Sequence, residues 1–250
     1  MAVRCDSCNL IYMNHRLAEV EISRYYSSYT DKRNTVSPDL LEKRGRMYEI
    51  DRSFVEIFVN NGSVLDIGCG SGDFISTFPL SITKYGFDID KPALNVGGVL
   101  HPSVKFYNAL SEVSEGQTFD CIIFRGTLQY QRDLKQIVKF CQLYLKERGY
   151  LILLATPNAD SPAACMQRES WVLFNRIEHL YHFTVDTVST LFQGFERIHF
   201  DYPYIGTPYE NQSTDLDNFI ALCRGTENQT RFPFWGSMMN VVFRKPSRQI

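Results

Sequence analysis

The sequence predicts an α/β fold built on a mostly parallel sheet with helices on both faces. Two observations carry that expectation. From Gly62 onward short apolar runs recur, SVLDIG, KYGFDI, VKFYN, FDCIIF and GYLILLAT, and the stretches between them can form helices, RDLKQIVKFCQLYLKERG most clearly. A glycine-rich turn, VLDIGCGSGDF, closes the first of these runs. In sheets of this kind ligands sit beyond the carboxyl ends of the strands, near the switch point.

Along the chain, HRLAEVEISRYYSSY and SPDLLEKRGRMYEIDRSFVEIFVNNG come first and carry helical periodicity. The second opens with Ser37 as N-cap and Pro38 in the first turn, and closes at Gly62. Residues 1–61 are therefore expected to form a helical extension ahead of a domain spanning 62–250. In that domain SVLDIG is the first strand, with a helix beginning near Ser71. After the second strand, KYGFDI, Asp90 precedes Lys91 and Pro92 and is placed to cap the next helix. VKFYN, FDCIIF and GYLILLAT supply the third to fifth strands, and ERIHFDYP and SMMNVVFRK read as two late ones. Roughly thirty residues separate the late pair, more than an ordinary connection, which suits a substrate-side insertion over residues 200–235.

Composition removes several function classes. With 26 basic and 28 acidic residues the net charge is −2, and no basic run carries interleaved aromatics, which argues against a nucleic-acid partner. No apolar stretch approaches the ~20 residues that span a bilayer, and MAVRCDSCNL lacks a charged-then-apolar signal layout. A cytoplasmic protein with no membrane partner is expected. The seven cysteines are scattered and odd in number, as reduced thiols are.

The glycine turn sets the ligand. Gly68, Gly70 and Gly72 stand where a ligand would touch main chain, since a Cβ there would hold it away. A dinucleotide asks for G-x-G-x-x-G, with the diphosphate on exposed N–H groups; the spacing here is G-x-G-x-G. Asp66 and Asp73 would also set negative charge beside a diphosphate, at a cost of about 1 to 4 kcal/mol in a partly buried site. A cationic sulfonium nucleoside gains from the same carboxylates, and S-adenosylmethionine is one. Asp88, about twenty residues beyond the turn, is where such a sheet presents an acid to ribose hydroxyls. Asn108 ends the third strand within reach of an adenine edge. Cys69 in the turn, Ile89 beside Asp88, and Arg125 at the end of the fourth strand complete the expected cofactor contacts.

These residues resemble a class I S-adenosylmethionine-dependent methyltransferase of the small-molecule branch, similar to enzymes of sugar and antibiotic pathways. VLDIGCGSGDF resembles the glycine-rich first motif and GFDID the acidic second, FDCIIFRGTLQY and GYLILLATPN the fourth and fifth strands, and HLYHFTVDTVSTLFQGFE a segment before a late helix. The resemblance implies a Rossmann-like, seven-stranded sheet over 62–250, cofactor contacts from Asp66, Gly68 and Gly70, a ribose contact from Asp88 and an adenine contact near Asn108. Many relatives place an acid and a histidine after the fourth strand, where this chain has Gln129 and Tyr130. CDSCNLIYMN is similar to the second half of a zinc ribbon, but no second C-x-x-C exists, so Cys5 and Cys8 read as a vestige and no metal is expected.

Methyl transfer from a sulfonium needs a nucleophile held in line, which is catalysis by proximity and orientation. For an acidic acceptor atom a positioned base would help, and His182, His179 and the phenol of Tyr181 are the candidates after the fifth strand. No Asn-Pro-Pro-Tyr or Asp-Pro-Pro-Tyr, which enzymes that methylate planar amino groups keep, follows the fourth strand, and no Pro-Cys, so attack on a pyrimidine carbon is not expected and nucleic-acid substrates recede further. Tyr202, Tyr204, Tyr209, Phe232, Phe234 and Trp235 suit a polar ring or sugar, and equally packing against helices or the mate in a homodimer. Asp215 and Asp217 are placed to cap a helix or to meet a substrate hydroxyl, capping being the expectation. The expected function is methyl transfer to a small molecule, such as a nucleotide-linked or polysaccharide sugar. The alternatives are a non-catalytic protein binding S-adenosylmethionine or S-adenosylhomocysteine, and an NAD-dependent sugar enzyme.

Overall fold

Short strands and capped helices follow one another along the chain in the computed structural model, which describes residues 2–18, 20–22, 37–114, 116–226 and 232–247. Strands β1 (Ala2–Arg4) and β2 (Ile11–Met13) form a hairpin around the Cys5–Cys8 turn, with Asn9 at φ 60°. Of the first stretch expected to be helical, residues 20–22 are helical and most of the remainder lies outside the described residues. Helix α1 (Pro38–Glu56) starts as its sequence dictates: the Ser37 hydroxyl accepts from the Leu40 N–H, and Pro38 occupies the first turn.

Next come β3 (Gly62–Ile67), the single turn α2 (Asp73–Ser76), β4 (Ile82–Phe87), α3 (Lys91–Leu100) and β5 (Val104–Tyr107). They are followed by β6 (Phe119–Arg125), α4 (Leu134–Tyr144), β7 (Leu145–Pro157) and α5 (Pro162–Gln167). The chain finishes with β8 (Tyr181–His182), α6 (Val185–Leu191), β9 (Glu196–Asp201), α7 (Gln212–Cys223) and β10 (Met238–Arg244). Asp90 caps α3 by accepting from the Ala93 N–H. The helix after the glycine turn begins at Asp73, with Gly72 as its N-cap, two residues later than the sequence predicts, and lasts one turn.

The main sheet has seven strands in the order β5-β4-β3-β6-β7-β10-β9. The first five run parallel, and β10 is antiparallel to both of its neighbours. Apolar residues on both faces make β3 and β6 interior strands. On one face Leu65, Ile122, Phe124 and Leu153 pack against Ile137 and Phe140 of α4; on the other Val64, Ile123 and Ile152 meet Val55 of α1 and Phe74. Each such fully buried side chain stabilises the fold by about 1.5–3 kcal/mol. A smaller sheet, β1-β2-β8, pairs Ile11 with His182 and Tyr12 with Tyr181. The segment read as a helical extension thus begins as a β-hairpin joined to the late part of the chain.

The insertion between the late strands contains a regular element. Helix α7 is capped by Asn211, whose side chain accepts from the Thr214 N–H. Neither Asp215 nor Asp217 is the cap: both lie within the helix, Asp215 in its first turn and buried.

Candidate active site

At the carboxyl edge of β3 the chain turns through Gly68, Gly70 and Gly72, at φ 81°, 58° and 81°. An added Cβ on Gly68 would come within 2.5 Å of the Thr127 methyl, so only glycine fits this left-handed, crowded position. The turn is fastened to β4: the N–H groups of Gly68 and Cys69 both donate to the Phe87 carbonyl, at 2.7 and 3.0 Å. The Gly70 N–H donates to Asp88 Oδ2 at 2.7 Å, and the Gly72 N–H to the Cys69 carbonyl at 3.0 Å. Asp88 Oδ1 accepts from the Asp90 N–H at 2.9 Å, and Asn108 Nδ2 donates to the Asp88 carbonyl at 2.9 Å.

A cavity of about 720 Å³ opens over this turn, lined by Gly68, Gly70, Asp88, Ile89 and Asn108 among others. This donor set suits a sulfonium nucleoside better than a dinucleotide. Four amides of the turn are already committed inside the protein, so they form no cradle for a diphosphate. The carboxylate of Asp88 faces the cavity and can accept hydroxyl donors, while exposed Ile89 supplies an apolar edge. The acids lining the cavity are Asp88, Asp90, Asp133 and Glu178, with Arg44, Arg125 and Arg132 opposite in charge. Asp66 is 2% exposed beneath the turn, and neither it nor Asp73 lines this cavity. Asp73 turns instead toward α3, with Oδ1 3.1 Å from His101 Nε2 and Oδ2 accepting from the Ser71 hydroxyl at 2.8 Å.

A second cavity, of about 350 Å³, adjoins the first. Arg125, Gly126 and Tyr130 line both. The Arg125 Nε donates to Asp51 Oδ2 at 2.7 Å, and its guanidinium lies over the Tyr48 and Phe74 rings at 4.5 and 5.4 Å. Burial pushes the Asp51 carboxyl above its ordinary range, while Arg125 pulls it back. Tyr204, Tyr209, Phe232 and Phe234 wall the second cavity. Tyr204 is fixed from behind, its hydroxyl donating to Asp215 and accepting from the Asn211 N–H at 3.2 Å.

The three candidates for a base occupy different positions. His179 lines the second cavity, 3% exposed, with Nε2 3.1 Å from the Tyr130 hydroxyl. His182 lies behind it, 1% exposed, its ring edge-on to Phe174 at 4.8 Å and lining neither cavity. Burial pushes both imidazoles down to about 3, with Arg176 adding to the effect on His179 and His179 to that on His182. Tyr181 faces the other way along β8, its hydroxyl donating to the Arg132 carbonyl at 3.4 Å beneath Arg16. Gln129 and Tyr130, the departure from the family pattern, sit at the junction. Gln129 Nε2 donates to the Gly126 carbonyl at 2.8 Å and the main-chain carbonyl of Gln129 accepts from the Leu180 N–H at 2.9 Å.

Sequence reading missed the Arg125–Asp51 pair. Its signal was an acid on the apolar stripe of α1, four residues from Met47 and from Val55. At the amino terminus, the N–H groups of Ser7 and Cys8 lower the Cys5 thiol. Among the described residues no three His, Cys, Asp or Glu side chains gather where they could hold a metal, and no helix is long and apolar enough to cross a membrane.

The family model described as a methyltransferase domain matches residues 29–196. The chain belongs to that family, and it is an S-adenosylmethionine-dependent methyltransferase. Among solved structures it is similar to the Burkholderia thailandensis 1,6-didemethyltoxoflavin-N1-methyltransferase, with a TM-score of 0.62 and 16% identity over 98% of this chain and 99% of that one. It is also similar to the N-methyltransferase NodS from Bradyrhizobium japonicum, with a TM-score of 0.52 and 14% identity over 86% and 91% of the two chains. No curated protein matches the sequence.

Proposed function

We propose that this enzyme methylates a small ring-bearing molecule seated in the 350 Å³ cavity, a nucleotide-linked or polysaccharide sugar being the class its aromatic walls suit. The observation that carries the reading is the junction: the cavity over the glycine turn and the ring-walled cavity share Arg125, Gly126 and Tyr130. The cofactor, when bound, supplies a methyl group already activated by positive sulfur. The chain's part is to hold two partners and exclude water. Asp88 would take the ribose hydroxyls, Ile89 and Asn108 the adenine, and the backbone carbonyls of Gly68 and Gly70 the amino-acid portion, with Asp66 supporting the turn from below and Cys69, expected as a contact, buried outside the cavity lining. Arg125, tied to Asp51, fixes the boundary between the two seats. Tyr130, held by His179, presents its ring to both.

Orientation alone can lower such a barrier by about 7–11 kcal/mol, enough for substantial catalysis without a covalent intermediate. The Burkholderia neighbour was solved with 1,6-didemethyltoxoflavin and S-adenosylhomocysteine bound, which supports a small-molecule acceptor beside the cofactor here. Calorimetry with S-adenosylmethionine, S-adenosylhomocysteine and NAD tests the reading. The first two are expected to bind and NAD is not; tight NAD binding without adenosylmethionine binding would refute it.

A further inference from the structure

We infer that the acceptor is a neutral ring amine, methylated on nitrogen, and that the chain provides a fitted seat for it and no general base. The inference rests on the proposed assignment of the ring-walled cavity to the acceptor. Among the described residues, the titratable side chains lining that cavity are Arg125, Arg176, Tyr130, Tyr204, Tyr209 and His179. No carboxylate is among them. Of the nearby acids, Asp51 is paired with Arg125 at 2.7 Å, Glu178 with Arg176 at 3.4 Å and buried Asp215 with the Tyr204 hydroxyl, while Asp201, close enough to act on Asp51, lines neither cavity. His179 has its Nε2 against Tyr130, and its Nδ1 is sealed from solvent with no hydrogen-bond partner.

An acceptor hydroxyl must give up its proton as it takes the methyl group, and the imidazole on this wall has Nε2 engaged by the Tyr130 hydroxyl and Nδ1 sealed away from the cavity's solvent. The imidazole nearest the junction is a weak base, since burial holds it down to about 3. A neutral amine has no such need. Its lone pair forms the new N–C bond as the C–S bond breaks, sulfur keeps that electron pair as a thioether, and the ammonium product then sheds its proton to water. The two guanidiniums on the described wall each hold a carboxylate behind it, and no acid lines the wall to pair with an ammonium, which favours the uncharged amine.

The test uses the full chain with matched probes, glucosamine against glucose and aniline against phenol. With the protein saturated in S-adenosylhomocysteine, calorimetry in buffers of different ionisation heat is expected to show glucosamine releasing a proton on binding below its own pKa. With methyl-labelled cofactor, NMR of the product is expected to place the label on nitrogen. The amine of each pair should exceed the alcohol in kcat/KM by at least about 100-fold, the lower end of what a positioned base would have supplied. The rising limb of the pH profile should move between glucosamine and aniline with the basicity of the amine. A methyl group on oxygen at a comparable rate, or a limb at the same pH for both amines, would overturn the nitrogen assignment. Loss of adenosylmethionine binding itself would overturn the broader reading instead.

Discussion

Replacing Asp88 by asparagine removes one charge and keeps the shape, which makes it the sharpest probe of the proposed cofactor seat. In the native turn both carboxylate oxygens accept backbone N–H groups, Gly70 at 2.7 Å and Asp90 at 2.9 Å. An asparagine can satisfy one of these donors and must set its own NH2 against the other. Leaving one such donor unmet costs about 1–3 kcal/mol of stability, which for a chain of this size lowers Tm by roughly 2–12 °C. A charged acceptor's hydrogen bond to ribose is worth about 1.5–3 kcal/mol, so affinity for S-adenosylhomocysteine should fall roughly 10- to 150-fold. Urea denaturation and calorimetry on the same preparation separate the two effects. Affinity within about twofold of wild type, less than about 0.5 kcal/mol, would remove Asp88 from the ribose site.

Three other outcomes follow from the geometry. The two buried histidines have folded values near 3 against about 6.5 in the unfolded chain, so their contribution is fully present above pH 6.5 and is lost as pH falls toward 3. Lowering the pH from 7.5 to 5.5 should cost about 1.4 kcal/mol for each histidine by urea denaturation, and His182→Leu should halve that difference; an unchanged loss in the variant would refute the assignment. Gly97→Ala places a methyl group 2.4 Å from the Ser71 carbonyl, and the resulting shift of α3 against the glycine turn should cost about 1–3 kcal/mol and weaken cofactor binding, read by thermal melts with and without S-adenosylhomocysteine. Asp51→Ala strands the Arg125 guanidinium and should destabilise by about 3–5 kcal/mol in chemical denaturation, whereas Leu80→Ala, at a site 92% exposed, should stay within about 0.5 kcal/mol.

Local pattern made much of this molecule readable in advance. Ser37 and Asp90 cap the helices their neighbours announce, because capping depends on residues within one turn. Gly68, Gly70, Asp88 and Asn108 converge on one cavity because a parallel sheet brings the carboxyl ends of adjacent strands together. What escaped depends on distant partners. The acid at the end of the glycine motif looked poised for the ligand, yet Asp73 meets His101 across the packing of α3. Asp215 had the composition of a cap but is drawn under Tyr204, leaving the cap to Asn211. The three-residue strands β1 and β2 are too short to show an alternating pattern, and the partner that orders them is β8, late in the chain.

That late partnership binds the beginning of the protein to its chemistry. Met13 donates to the Leu180 carbonyl, Ile11 lies opposite His182, and Leu180 in turn is anchored to Gln129 at the meeting of the two cavities. Trimming the first thirteen residues for convenience of expression would strip β8 and Leu180 of these partners beside the junction of the two cavities. Damage of that sort would surface as impaired turnover in a protein whose cofactor grip was intact.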